Sequence, residues 1–151
     1  DYLHVEKTDP VPKVVKSMME NIGDTGSVIV WHAGFESGRN KEIADSYPEY
    51  KEFMESINNR MFDLELIFKK EYLDYRFKGG SSIKVVLPII APDLSYKDLE
   101  VQHGGMAMDG ILDLVEENCK NKEELESNLK KYCKRDTWAM VRIYEELLKV
   151  I

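Results

Sequence analysis

Two stretches carry side chains whose types and spacing could do chemistry. The first is His32-Ala33-Gly34-Phe35-Glu36, which follows the apolar run Ser27-Val28-Ile29-Val30-Trp31. The second is Tyr132-Cys133-Lys134-Arg135-Asp136, where Tyr132 and Asp136 stand four apart and share one helical face. A carboxylate delivered by the end of a buried strand lies where open α/β sheets collect function. Asp136 falls beside the apolar stripe of Leu125, Leu129, Ala139, Met140 and Ile143. A carboxylate at a core edge needs a partner or a metal. Each group also has a plain reading. Glu36 can be a solvated acid at the positive end of a helix dipole, and Asp136 can be paired with a Lys or Arg.

A third stretch is locally basic: Lys69, Lys70, Arg76, Lys78, Gly79, Gly80, Ser81, Ser82 and Lys84. It leads into a helix whose first backbone N–H groups could hold a phosphate; the plain reading is a solvated loop.

The elements that must position these groups follow from pattern. Asp9-Pro10 opens a helix, with Val14, Val15, Met18, Met19 and Ile22 on one face and Gly23 as its stop. Residues 27–31 form a strand apolar on both faces, as in a buried parallel sheet. The segment 32–36 reads as a loop, and 36–58 as two short helices divided at Pro48. Residues 61–68 read as a short strand passing into a helix, and 69–81 as a loop. Ser82 caps a helix through about Ile90, and helices follow at about 104–118 and 122–149. The sum is α/β, with strands towards the N-terminus and helices dominating the rest.

The 151 residues suffice for one domain. No apolar run approaches the roughly 18 residues of a membrane span, so no membrane role is expected. Cys119 and Cys133 form no metal-ligand pair and no disulfide framework, which points to a reduced, cytoplasmic setting. The net charge of −7 argues against nucleic-acid binding by bulk charge. It leaves room for an enzyme that reaches phosphates through metal ions, because such a site must itself be rich in carboxylates. The chain begins without Met and inside a structural element, so it reads as a fragment of a longer protein.

In order, "GSVIVWHAGFE", "RMFDLELIF", "GGSSIKVVLP", "LSYKDLEVQHGGMAM" and "YCKRDTWAMVRIYEEL" resemble a bacterial domain family of unknown function. Its sequences look like members of the DnaQ-like exonuclease branch of the ribonuclease H-like fold, in the Tyr subclass. The resemblance implies a metal-dependent 3′–5′ exonuclease acting on nucleic acid, with a two-ion Mg²⁺ or Mn²⁺ site. It assigns Glu36 and Asp136 as metal ligands and Tyr132 to positioning the attacking water. His32, Phe35, Ser82 and Lys84 would contact substrate, and Asp63 would stand behind the ligands. Phe35 would face the core or a base, and Gly34 would let the backbone pass close to substrate. The exonuclease pattern also needs an Asp-x-Glu motif before Glu36. Asp63-Leu64-Glu65 and Asp98-Leu99-Glu100 both come after it. The motif is therefore expected upstream of Asp1, lost with the first strands, with "DYLHVEK" a remnant of the third strand. The present chain should then be inactive alone. The alternative is a nucleic-acid-binding or protein-interaction module that keeps the fold without the chemistry.

Overall fold

The computed structural model describes residues 2–150. Helix α1 (Val11–Asn21) starts at Pro10, and the Asp9 carboxylate accepts the Val11 N–H at 3.0 Å. Strand β1 (Val28–Val30) leads into α2 (Ala33–Ser46). A 3₁₀ turn at Pro48–Tyr50 then passes into α3 (Lys51–Asn59). Strand β2 (Met61–Asp63) returns parallel to β1 and runs into the short α4 (Glu65–Lys70). Helices α5 (Ile83–Ile90), α6 (Gly104–Val115) and α7 (Lys122–Leu148) complete the chain. The described residues are thus helix-rich around one small two-stranded sheet. No helix among them is long and apolar enough to cross a membrane.

Parallel pairing decides where the site can be. The register sets Val28 against Met61, Ile29 against Phe62 and Val30 against Asp63. Both strands therefore finish side by side, and the segments that leave them, Trp31-His32 and Leu64-Glu65, emerge together.

Two apolar clusters hold this arrangement. Val15, Ala44 and Met54 join α1, α2 and α3. A larger core contains Leu64 and Phe68 from the β2–α4 unit, Val86 and Leu87 from α5, and Leu129, Ala139 and Ile143 from α7. Asn121 caps α7, its side chain accepting the Glu124 N–H while donating to the Glu124 carboxylate at 2.9 Å. Such reciprocal pairing fixes where a helix starts. Buried Gly110 of α6 has space for little else: an added Cβ would stand 3.3 Å from a Leu125 methyl and 3.4 Å from one of Leu129. That close approach seats α6 against α7.

Three readings of the sequence are corrected here. Residues 2–7 form no strand, although Leu3 and Val5 pack against the larger core. The expected loop 32–36 is mostly the first turn of α2, so Glu36 is helical. The strand expected at 27–31 is confined to Val28–Val30.

Candidate functional site

Asp63 and Glu65 build the site from the end of β2. The Asp63 carboxylate accepts the backbone N–H groups of His32 at 3.1 Å, Ala33 at 3.0 Å and Glu65 at 3.1 Å. A helix start normally takes its cap from its own chain; here the neighbouring strand caps α2 across the sheet. His32 enters α2 in the left-handed region, at φ 67° and ψ 65°. That conformation costs a non-glycine residue on the order of 1 kcal/mol. The Asp63 bonds to the backbone and a Glu65 bond to the side chain offset the cost. Glu65 is 6% exposed. It bonds His32 Nδ1 at 3.0 Å, Lys69 Nζ at 2.9 Å and Ser81 Oγ at 2.8 Å. Burial pushes its pKa up, but Lys69, Ser81 and His32 together outweigh burial and hold it below the ordinary glutamate value.

These bonds open a cleft of about 630 Å³ between the strand exits, the start of α5 and the middle of α7. Its walls include Trp31, His32, Glu36, Glu65, Ser82, Lys84, Tyr132 and Asp136. Six of the eight site residues read from sequence therefore meet in one place: His32, Glu36, Ser82, Lys84, Tyr132 and Asp136. Phe35 does not join them, and it does not face the core. It is 58% exposed, with the Arg39 guanidinium 5.6 Å from its ring centre. Asp63 is not a wall of the cleft; it works through the backbone of α2. Gly34 lines a separate groove with Ser37, Lys41 and Asn58, and nothing lies within 4 Å of the Cβ it lacks. The close approach assigned to it is absent from the cleft.

The charges within the cleft are unevenly matched. Glu36 is half-buried and engages no Lys or Arg among the described residues. Burial raises its pKa, and the nearby His32 only partly opposes the rise. Asp136 likewise has no basic partner among the described residues. Its neighbour Arg135 is turned to the Asp98 carboxylate (both contacts 2.9 Å) and to the Ser95 carbonyl. Asp136 instead accepts the Tyr96 hydroxyl at 2.6 Å. Lys84 Nζ sits 5.4 Å from the Tyr96 ring centre and 5.7 Å from that of Tyr132, a cation held on two aromatic faces. Of the basic stretch, Lys69 is committed to Glu65 and Arg76 to Asp74, leaving Lys84 as the cation that faces the cleft.

Residues 1–82 match a family described as Domain of unknown function (DUF2779). The chain belongs to that family. No curated protein and no solved structure matches it. The DUF2779 match takes in both strands, the Asp63 and Glu65 contacts and the cleft wall up to Ser82.

Sequence reasoning missed Glu65, Ser81 and Tyr96. Glu65 was visible only as the last residue of an Asp-x-Glu out of order. Its i,i+4 spacing to Lys69 was a signal for the ion pair, but nothing local announced the bonds to His32 and Ser81. Tyr96 lies in an irregular segment, where no periodicity tells inside from outside.

Two stability experiments follow. Glu65→Ala leaves three donors without their acceptor and should cost about 1–3 kcal/mol, a melting-temperature loss of roughly 5 °C. Because the Glu65 pKa is depressed, its contribution is present above the unfolded glutamate value and lost as pH falls through the folded one. The gap between wild type and Glu65→Ala should thus narrow on acidification below about pH 4; a pH-independent gap would refute the assignment. Glu36 has the opposite sign. Its raised pKa makes the ionised form a burden that grows as pH rises through the folded value. Glu36→Gln should therefore melt higher than wild type at pH 7, with the advantage gone near pH 4. A lower melting temperature at pH 7 would show that Glu36 stabilises the fold.

Proposed function

We propose that this DUF2779 chain forms one part of a metal-dependent 3′–5′ exonuclease of DnaQ-like, ribonuclease H-like type. One observation carries the reading. Glu36 from α2 and Asp136 from α7, remote in sequence, border the same cleft, and neither is neutralised by a basic side chain among the described residues. A carboxylate kept partly from water without a basic partner favours a ligand that brings positive charge.

Carboxylate oxygens are the ligands that hard ions such as Mg²⁺ or Mn²⁺ prefer, although the described residues supply only part of such a set. Glu36 and Asp136 are the residues that would hold such an ion, and it would supply charge neutralisation at a phosphodiester undergoing hydrolysis. Lys84, braced on two tyrosine rings, is placed to contact a phosphate. The Ile83 and Lys84 backbone N–H groups precede the first bond of α5, made by the Val85 N–H to the Ser82 carbonyl, and are free for an anion. Burial, then the adjacent Asp136, push the Tyr132 phenol far above its ordinary pKa. Tyr132 therefore remains an O–H donor at neutral pH. It can orient a water or a phosphate oxygen but cannot act as the base.

A two-ion centre needs more carboxylates than this pair, and no group of three metal-ligating side chains occurs among the described residues. Strand β1 has only β2 as a neighbour among them. The indole N–H of Trp31, next after β1, is buried without a partner there. An acidic strand added beside β1 is where the missing ligands would enter. The incomplete acid set also favours a second reading, a cleft that binds nucleic acid without cutting it.

The test is Mn²⁺-dependent trimming of 5′-labelled single strands by residues 1–151 alone and together with any segment that precedes Asp1 in the protein. The longer form should shorten strands from the 3′ end, and Glu36→Gln or Asp136→Asn should slow it at least about 100-fold; residues 1–151 alone should not cut. Trimming by residues 1–151 that survives Glu36→Gln would contradict the reading. Binding without trimming by the longer form would select the second one.

A further inference from the structure

We propose that His32 is the proton acceptor of the cleft, held by Glu65 in the tautomer that leaves the Nε2 lone pair for a bound substrate. The proposal deepens the hydrolase reading and rests on it for the reaction served. His32 borders the cleft, and its Nδ1 lies 3.0 Å from Glu65 Oε2. Glu65 also takes Lys69 Nζ on Oε2 at 2.9 Å and the Ser81 hydroxyl on Oε1 at 2.8 Å. Despite burial, these donors hold Glu65 below the ordinary glutamate value, so it is ionised at neutral pH. An ionised carboxylate only accepts hydrogen bonds. The proton of the neutral imidazole must therefore sit on Nδ1, and Nε2 carries the lone pair. Nε2 has no hydrogen-bond partner among the described residues.

The other two of the three histidines are set the opposite way. His4 Nε2 is 3.1 Å from the Thr8 carbonyl, which can only accept. His103 Nδ1 accepts the Met106 N–H at 3.2 Å. When neutral, both rings carry their proton on Nε2, and neither borders the cleft. His32 is also fixed from its backbone, whose N–H donates to Asp63 at 3.1 Å in a left-handed conformation. A carboxylate on Nδ1 keeps an imidazole in the useful tautomer and stabilises the imidazolium that forms when it takes a proton. The remaining groups of the cleft are worse placed. Tyr132 keeps its proton, Lys84 has its ammonium on two tyrosine rings, and Asp136 already accepts the Tyr96 hydroxyl. Glu36 is the rival base, half-buried and close enough for His32 to influence its ionisation. In phosphodiester hydrolysis, His32 Nε2 would take one proton from the attacking water as the water oxygen bonds to phosphorus. The bond to the leaving oxygen breaks, that oxygen takes a proton from solvent, and the imidazolium returns its extra proton to solvent.

Long-range ¹H–¹⁵N spectra of residues 1–151 at about pH 8.5, where ordinary imidazoles are neutral, read which ring nitrogen is bare. His32 should show a bare Nε2, and His4 and His103 a bare Nδ1. A bare Nδ1 in His32 would overturn the proposal. Glu65→Gln offers an amide N–H to Nδ1 and should move the His32 proton to Nε2, whereas Glu36→Gln should leave the tautomer as it is. Should Glu65→Gln fail to fold, the wild-type spectrum alone decides the tautomer. Diethyl pyrocarbonate, which acylates bare imidazole nitrogens, should modify His32 at Nε2; a folded protein in which that nitrogen stays unmodified would overturn the proposal. In the longer form, His32→Gln should lower kcat for trimming at least about 100-fold with KM little changed. Trimming with an unaltered kcat would assign the proton to another group and overturn the proposal. A bare, reactive Nε2 in a longer form that never trims would sink the nuclease reading and leave the proton acceptor standing.

Discussion

The buried carboxylate of Glu65 bonds donors from three separate pieces of chain: His32 after β1, Lys69 on α4 and Ser81 before α5. A charge taken from water is tolerable only when its lone pairs are filled, so these pieces cannot separate without exposing an unsatisfied anion. The contacts fix two walls of the cleft relative to each other. The wall carrying Glu36 follows from His32, and the wall carrying Ser82 and Lys84 follows from Ser81. The third wall, α7, is set by apolar packing of Leu129, Ala139 and Ile143. Polar bonds therefore set the fine geometry, and the core sets the distance across.

The same economy appears at Asp63. Parallel pairing with Val30 brings its carboxylate to the amide groups that open α2. His32 can then hold a left-handed backbone that would be costly elsewhere. The strain sits one helical turn before Glu36, on the residue whose side chain Glu65 also anchors. Glu36 itself is kept partly from water with no basic partner to favour its charge. The ionised form of Glu36 is thus disfavoured by burial, whereas Asp63 and Glu65 each have their oxygens filled by donors.

Much of this was legible in the sequence, for physical reasons that differ by element. Helix α5 was readable because Ser82 precedes a mostly apolar run that ends before Pro92. The long α7 showed its apolar stripe. That Glu36 and Asp136 border one cleft was signalled by no local pattern, since none relates positions so far apart. The first turn of α2 was misread as loop because its cap comes from Asp63 on another strand and leaves no N-cap signature at His32. The resemblance set Phe35 against the core or a base, and it lies exposed on α2 beside Arg39. Glu65 and Tyr96 stayed hidden because their partners are long-range and side chain to side chain.

The central claim is that Glu36 and Asp136 are held apart from basic side chains in order to share a cation. Anomalous diffraction from crystals of residues 1–151 soaked in Mn²⁺ addresses it directly. The account predicts a manganese peak in the cleft bonded to both carboxylates. Manganese bound only elsewhere, or Glu36 and Asp136 ordered with the metal absent from between them, would contradict it.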